Sequence, residues 1–259
     1  MTVRVTLITG ASSGMGVEFA RIFAADGHRV ALVARREDRL KQLAGELVAA
    51  GREPPIVIPC DLEQRDAGDT IAAALAAEDA EVEFLVNNAG FGLFGEARVL
   101  DRSQQLAMID LNVRLLTDLC LRFADQVVRH RGGILNVASI ASFLPGPGMA
   151  VYYATKAYVL SLTEALRGEW GRSGVHVTAL CPGPVPTEFQ QRAGLVPGLD
   201  SALLNVSPRA AAMAGYRGLK ANKHLVLPGM GIRAIPFLLR FAPRGFVLSA
   251  VARVQQRRR

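Results

Sequence analysis

The chain has 259 residues, half of them hydrophobic and a fifth charged, enough for one well-buried α/β domain and too apolar for global disorder. Cys60, Cys120 and Cys181 form no CxxC pair and the four histidines are scattered, which argues against a disulfide scaffold or a metal site and suits a reducing compartment. The net charge of +7 belongs to the end of the sequence: no acid follows Asp200 but eleven basic residues do, and the first 200 residues carry a net −4, so the basic balance says little about the core.

The first apolar run, 3–9, reads as a buried strand and not as a secretory signal. No run of about 18 uncharged apolar residues exists to span a membrane, so a cytoplasmic location is expected. A glycine-rich turn follows, Thr9-Gly-Ala-Ser-Ser-Gly-Met-Gly16, and a helical pattern over 15–27 begins inside it. Gly10 permits the tight turn, Gly14 lets backbone approach a pyrophosphate, and Gly16 allows close helix packing. With Ser12, Ser13 and Met15 these residues form a candidate dinucleotide-phosphate site at a helix N-terminus. The second strand, 29–34, ends in Val33-Ala34-Arg35-Arg36. An NAD binder usually places an acid there for the ribose 2′-OH. Ala34 offers none, and Arg35 or Arg36 can pair with a 2′-phosphate through a planar fork, so NADP(H) is expected over NAD(H).

A helix is predicted over 36–50, a strand over 56–60, a helix over 65–79 and a strand over 84–87. A long helix over 102–130, a strand over 134–138, a helix over 150–173 and a strand over 176–181 follow. A Pro- and Gly-rich loop and a weaker strand over 224–227 close the pattern. This alternation predicts a single Rossmann-type domain, 1–259, with a doubly wound parallel sheet and helices on both faces. Residues 188–206 read as a substrate lid. Phe189, Leu195, Val196, Leu199, Leu203 and Leu204 suggest an apolar guest there.

On the helix over 150–173, Tyr152 and Lys156 stand four apart and share a face. A phenol titrates near pH ~10, so acid–base work near neutrality needs a neighbour, and an ammonium that favours the phenolate is one. Ser139 ends a strand and can polarise a substrate oxygen. Asn112 lies within a predicted helix, an indifferent place for Asn. Tyr216 and Lys220 repeat the YxxxK spacing, but Leu203 stands thirteen residues before Tyr216 where Ser139 stands thirteen before Tyr152. Tyr153 points roughly 100° away on the helix.

The ordered set Thr9–Gly16, Asp61-Leu62, Asn87-Asn-Ala-Gly90, Asn112, Ser139, Tyr152-x-x-x-Lys156 and Pro182-Gly-Pro-Val-Pro-Thr187 resembles the short-chain dehydrogenase/reductase family. The resemblance implies about seven strands, a nicotinamide cofactor, and hydride exchange with a carbonyl or alcohol. It implies a tetrad of Asn112, Ser139, Tyr152 and Lys156, with Asn112 holding a water in a proton relay. Asp61 and Leu62 would approach the adenine, and Asn88, Ala89 and Gly90 the central strand and the cofactor ribose. Tyr152 and Lys156 would also hold the cofactor, and Pro182, Gly183, Val185 and Thr187 would line the nicotinamide side. The expected partners are a small carbonyl or alcohol and further copies of the chain, as dimer or tetramer, with no nucleic acid. The 224–259 segment departs from the family, which puts the usual C-terminal tetramer contact in doubt.

Other readings remain open at this level. Gly10-Ala-Ser12-Ser-Gly14 also fits the nucleophile elbow of a serine hydrolase, although only one strand precedes it. A non-enzymatic NADP sensor would keep the turn without needing the tetrad. The basic end, with apolar residues around 235–239 and 246–251, suits either packing on the body or a partner, or weak contact with an anionic membrane.

Overall fold

The protein is described from a computed structural model covering residues 2–194 and 206–256. Of the expected lid residues, Leu195, Val196, Leu199, Leu203 and Leu204 lie outside the described residues, as do Arg257, Arg258 and Arg259.

Strand β1 (Val3–Thr9) leads to α1 (Gly14–Ala25), β2 (Arg29–Ala34) to α2 (Glu37–Ala49), and β3 (Ile56–Pro59) to α3 (Ala67–Ala77). After β4 (Ala80–Asn87) come α4 (Arg102–Ile109), a π-helical turn (Asp110–Leu115), α5 (Leu116–Arg122) and α6 (Ala124–Arg129). Then follow β5 (Gly133–Val137), α7 (Ala150–Trp170), β6 (His176–Leu180), α8 (Glu188–Ala193), α9 (Pro208–Lys220) and β7 (Leu225–Val226). Helices α10 (Met230–Arg233), α11 (Ile235–Leu239) and α12 (Arg244–Gln256) finish the chain.

All seven strands pair in parallel in the order β3-β2-β1-β4-β5-β6-β7, the doubly wound sheet expected. Apolar side chains fill both faces. Leu7, Leu85, Ile134 and Val177 point into one core with Ile71, Leu119 and Val159. Ile8, Leu32, Val86 and Leu180 point into the other with Phe19, Phe23 and Leu219. Strand order reverses between β1 and β4, and the crevice outside the carboxyl ends of these strands is where a doubly wound sheet offers a site.

Three expectations change. Strand β4 starts at Ala80, four residues earlier than its apolar run suggests, because Glu81 and Glu83 alternate with buried neighbours and are neutralised from outside. Arg129 and His130 bond Glu81, and Arg4 reaches Glu83. The helix expected over 102–130 is interrupted twice, by the π turn and by Phe123 at φ −99°, ψ 7°. Last, β7 spans only two residues, paired to Ala179 and Leu180.

Candidate active site

The Gly10–Gly16 turn is shaped by what its glycines lack. Gly10 has φ +68°, a conformation that strains any residue with a Cβ. A Cβ on Gly16 would lie 2.1 Å from the Gly10 carbonyl oxygen, so α1 meets β1 only because Gly16 is bare. A Cβ on Gly14 would lie 2.9 Å from Thr187 Cγ2, so the loop after β6 closes down on this turn. Ser13 caps α1 with extended backbone and makes no side-chain hydrogen bond to its amides, which leaves first-turn N–H groups available to an anion. Thr9 ties the turn to β4: its hydroxyl accepts from the amides of Asn88 and Ala89 at 3.0 and 3.1 Å. The Asn88 side chain donates back to the carbonyls of Thr9 and Gly10 at 2.9 and 3.3 Å.

From this turn a cavity of about 520 Å³ runs to the ends of β5 and β6. Its nucleotide end is lined by Gly10, Ser12, Ser13, Gly14 and Met15, by Arg35 and Arg36, and by Asp61 and Leu62. Asn88, Ala89 and Gly90 form its middle. Ser139, Tyr152 and Lys156 close the far end with Pro182, Gly183, Val185 and Thr187. Of the expected site residues, only Gly16 and Asn112 stand behind the wall, Gly16 as the packing contact of α1 and Asn112 as a buried support.

At the nucleotide end the arginines are ordered by carboxylates. Arg36 donates to Ser12 Oγ through Nε and Nη2 at 3.2 and 3.1 Å, and through Nη1 to Glu188 at 2.7 Å. Arg39 donates to the other oxygen of Glu188, and these two forks hold the Glu188 carboxyl below the usual carboxylate range. Arg35 faces Glu63 at 3.4 Å, and Arg192 donates to the same carboxylate at 2.6 Å while lying 3.8 Å above the Phe91 ring. Glu63, Arg39, Glu188 and Arg192 were not foreseen. No local spacing marks them, because α8 has to fold back over the sheet before they meet. Among the described residues no histidine lines the cavity, and Ser12 serves as an acceptor for Arg36. The nucleophile-elbow reading has no support.

The far end of the cavity is buried. Tyr152 and Lys156, one turn apart on α7, are 9% and 5% exposed, and Ser139 is 9% exposed. Lys156 Nζ donates to the Val137 carbonyl at 2.8 Å and stands 6.0 Å from the centre of the Tyr152 ring. Ser139 accepts from the Ala141 amide at 3.1 Å and stands close enough to the Tyr152 hydroxyl to favour its ionised form. Sequence reasoning expects the ammonium to lower the phenol's pKa. Here burial is the largest influence: it pushes Tyr152 up to about 12 against the opposing effect of Ser139, and pushes Lys156 down to about 8. Asn112, fully buried, lies in the π turn and not in α-helix; such turns recur at functional sites. Its amide donates to the Phe91 carbonyl and to Thr155 Oγ1 at 2.9 and 3.1 Å and accepts from the Phe91 amide at 3.1 Å. Met149, Tyr153 and Phe189 line this end as well. The Tyr153 hydroxyl accepts from Gln255 Nε2 at 3.0 Å, which fastens the end of α12 to the cavity wall.

The decoy pair sits elsewhere. Tyr216 donates to Asp26 at 2.5 Å and Lys220 lies 3.5 Å from the same carboxylate, both outside the cavity lining. Ser142 donates to the Lys156 carbonyl at 2.7 Å, a helix-anchoring role.

The family model for short chain dehydrogenase matches residues 4–195. This chain belongs to the short-chain dehydrogenase/reductase family. It is 40% identical over 217 residues to a sulfoacetaldehyde reductase of Chromohalobacter salexigens, covering 83% of this chain and 81% of that protein. The fold superposes on a short-chain dehydrogenase from Sphingobium yanoikuyae in complex with NADPH with TM-score 0.83 at 32% identity, over 94% and 95% of the two chains. A short-chain dehydrogenase/reductase from Burkholderia phymatum in complex with NAD gives 0.79 at 26%, over 91% and 92%. The chain is therefore an oxidoreductase of a family that binds nicotinamide cofactors. The bare Gly16, the uncapped α1 terminus and the unbroken cavity all fit such a dinucleotide.

Proposed function

We propose that this protein is an NADP(H)-dependent reductase that exchanges a hydride between nicotinamide and an apolar ketone, aldehyde or acyl compound. The observation that carries the reading is one cavity with a buried phenol, hydroxyl and ammonium at one end and an arginine held against the glycine-rich turn at the other.

The nicotinamide, when bound, supplies the hydride. Tyr152 donates its proton to the carbonyl oxygen, and Ser139 hydrogen-bonds that oxygen as charge develops. The Lys156 ammonium favours the phenolate left behind. Asn112 fixes the chain at Phe91 against α7 through Thr155 and positions the proton relay. Held up at about 12, Tyr152 keeps its proton at neutral pH, the state required of an acid in reduction, whereas alcohol oxidation requires the phenolate. Met149, Phe189 and Tyr153 give the substrate an apolar wall. NADP(H) is favoured because β2 ends without an acid and Arg36 is aimed at Ser12, where a 2′-phosphate accepts a planar fork. The carboxylates of Glu63 and Glu188 are themselves taken by arginines.

A cytoplasmic homo-oligomer belongs to the same proposal. Leu106, Ile109, Leu121 and Tyr158 leave apolar surface exposed along α4, α5 and α7, where Thr117 and Tyr158 bond each other at 3.0 Å. The test is a panel of aldehydes, ketones and acyl compounds, sulfoacetaldehyde included, assayed with NADPH and with NADH. Turnover of a carbonyl with NADPH preferred is expected. A preference for NADH overturns the cofactor assignment, and cofactor binding without turnover on any carbonyl favours a sensor.

A further inference from the structure

The last elements of the chain are built unlike the rest. Among the described residues twelve large apolar side chains are exposed, and six of them fall between residues 237 and 254: Phe237, Leu238, Phe241, Phe246, Leu248 and Val254. Such crowding marks a surface that something covers. Phe237, Phe241 and Phe246 are 62%, 75% and 68% exposed, and the rings of Phe237 and Phe241 meet edge to face at 5.4 Å.

Helix α12 already has a packed side. Val247 and Gln255 are 8% and 4% exposed and Val251 between them is half-buried. Gln255 bonds Tyr153 on the body. Next to this stripe runs a second one at the same i, i+4, i+8 spacing, Phe246, Ala250 and Val254, whose two large side chains are exposed and whose middle alanine is half-buried. The helix is thus fastened to the body along one line and apolar along another, and burial of the first does not use up the second.

Charge says what suits the open line. Arg240, Arg244 and Arg253 are exposed among these apolar side chains, and no acid occurs anywhere after Asp200. A second copy docked through the same face in a two-fold dimer would bring two arginine-bearing faces without acids against each other. An anionic lipid surface satisfies both features at once: aromatic and aliphatic side chains enter the headgroup region while arginines meet phosphates. No helix among the described residues is long and apolar enough to cross a membrane, so the contact is with the surface.

We propose that α11 and α12 form a docking face for anionic phospholipid membranes, centred on Phe237, Phe241 and Phe246 and ringed by Arg240, Arg244 and Arg253. Because α12 ends at Tyr153 on the cavity wall, the docked face lies beside the substrate end of the site.

The test is co-sedimentation of the full chain with vesicles of phosphatidylcholine alone and of phosphatidylcholine mixed with phosphatidylglycerol, at low and high salt. Sedimentation with the anionic vesicles that weakens in salt is expected. Replacing Arg240, Arg244 and Arg253 by Gln should cost about fivefold in partitioning for each charge removed. The double variant Phe241→Ser, Phe246→Ser should cost about tenfold or more. Every residue in both sets is exposed, so thermal melting and NADPH binding should match wild type, and the arginine set preserves the test if the serine pair disturbs folding. Retention in the supernatant with anionic vesicles at low salt overturns the proposal. So does a lipid-free oligomer that the serine pair dissociates, which would assign the face to a second copy.

Discussion

The two ends of the cavity solve opposite problems. The end proposed as catalytic buries Tyr152, Lys156 and Ser139, each at most 9% exposed, and there burial is the largest influence on the protonation of Tyr152 and Lys156. The nucleotide end places Arg35, Arg36, Arg39, Glu63 and Glu188 near solvent, with Arg36 38% and Glu188 45% exposed, and there ion pairing sets geometry while solvent screens the energy. One end concentrates its effect in single atoms. The other spreads it over several exchangeable charges.

Substitutions should respect that difference. The largest effect belongs to Tyr152→Phe, which keeps the ring and removes the proton: turnover should fall on the order of 10²-fold or more, with NADPH affinity unchanged by fluorescence titration. A variant that loses binding and turnover together would place the phenol's role in the cofactor pocket.

Next comes pH. Burial lowers the Lys156 pKa to about 8, so its ammonium is present below that value and lost above it. The profile of kcat/KM for NADPH reports groups of the free enzyme, so it should be flat below about pH 8 and decline above it. A decline that begins only near pH ~10.4, the value of a lysine in water, would mean that Lys156 is not desolvated.

At the exposed end, Arg36→Ala should weaken NADPH roughly tenfold, the lower range for a hydrogen bond to a charged group because the site is screened. NADH should change little. Equal loss of both cofactors would assign Arg36 to the turn's architecture through Ser12 and not to the 2′-phosphate.

Smallest is Tyr216→Phe, at the motif's second copy. Among the described residues its hydroxyl bonds Asp26, outside the cavity lining, so kcat/KM should stay as in wild type and stability should change by about 1 kcal/mol or less.

The contrast also explains what the sequence discloses. The residues proposed as catalytic stand out in the sequence because each has a local signature: a strand end for Ser139, one helical turn between Tyr152 and Lys156. The same locality separates the YxxxK that lines the cavity from its second copy, since Tyr216 lacks a serine at the matching distance and the fold turns it towards Asp26. The doubly wound parallel sheet follows from alternation of strand and helix, because right-handed crossovers leave few alternatives.

What escapes is non-local. Glu188 meets Arg36 across 152 residues and Arg192 meets Glu63 across 129, and neither partner carries a pattern of its own. The break at the π turn escapes because Asn112 is held by Phe91 and Thr155, contacts outside the helix that holds it. The pKa of Tyr152 escapes for the same reason. Spacing reveals the neighbouring lysine, whereas the desolvation that raises the phenol comes from the whole packed end of the cavity.

The most direct test of the central claim follows the hydride itself. The wild-type protein is incubated with NADPH carrying deuterium at the transferable position and with a carbonyl compound from the panel, and the alcohol is examined by mass spectrometry. The account predicts deuterium on the carbinol carbon of the alcohol formed by wild type, and its loss with Tyr152→Phe. An alcohol without the label, or label transfer undiminished in Tyr152→Phe, would contradict it.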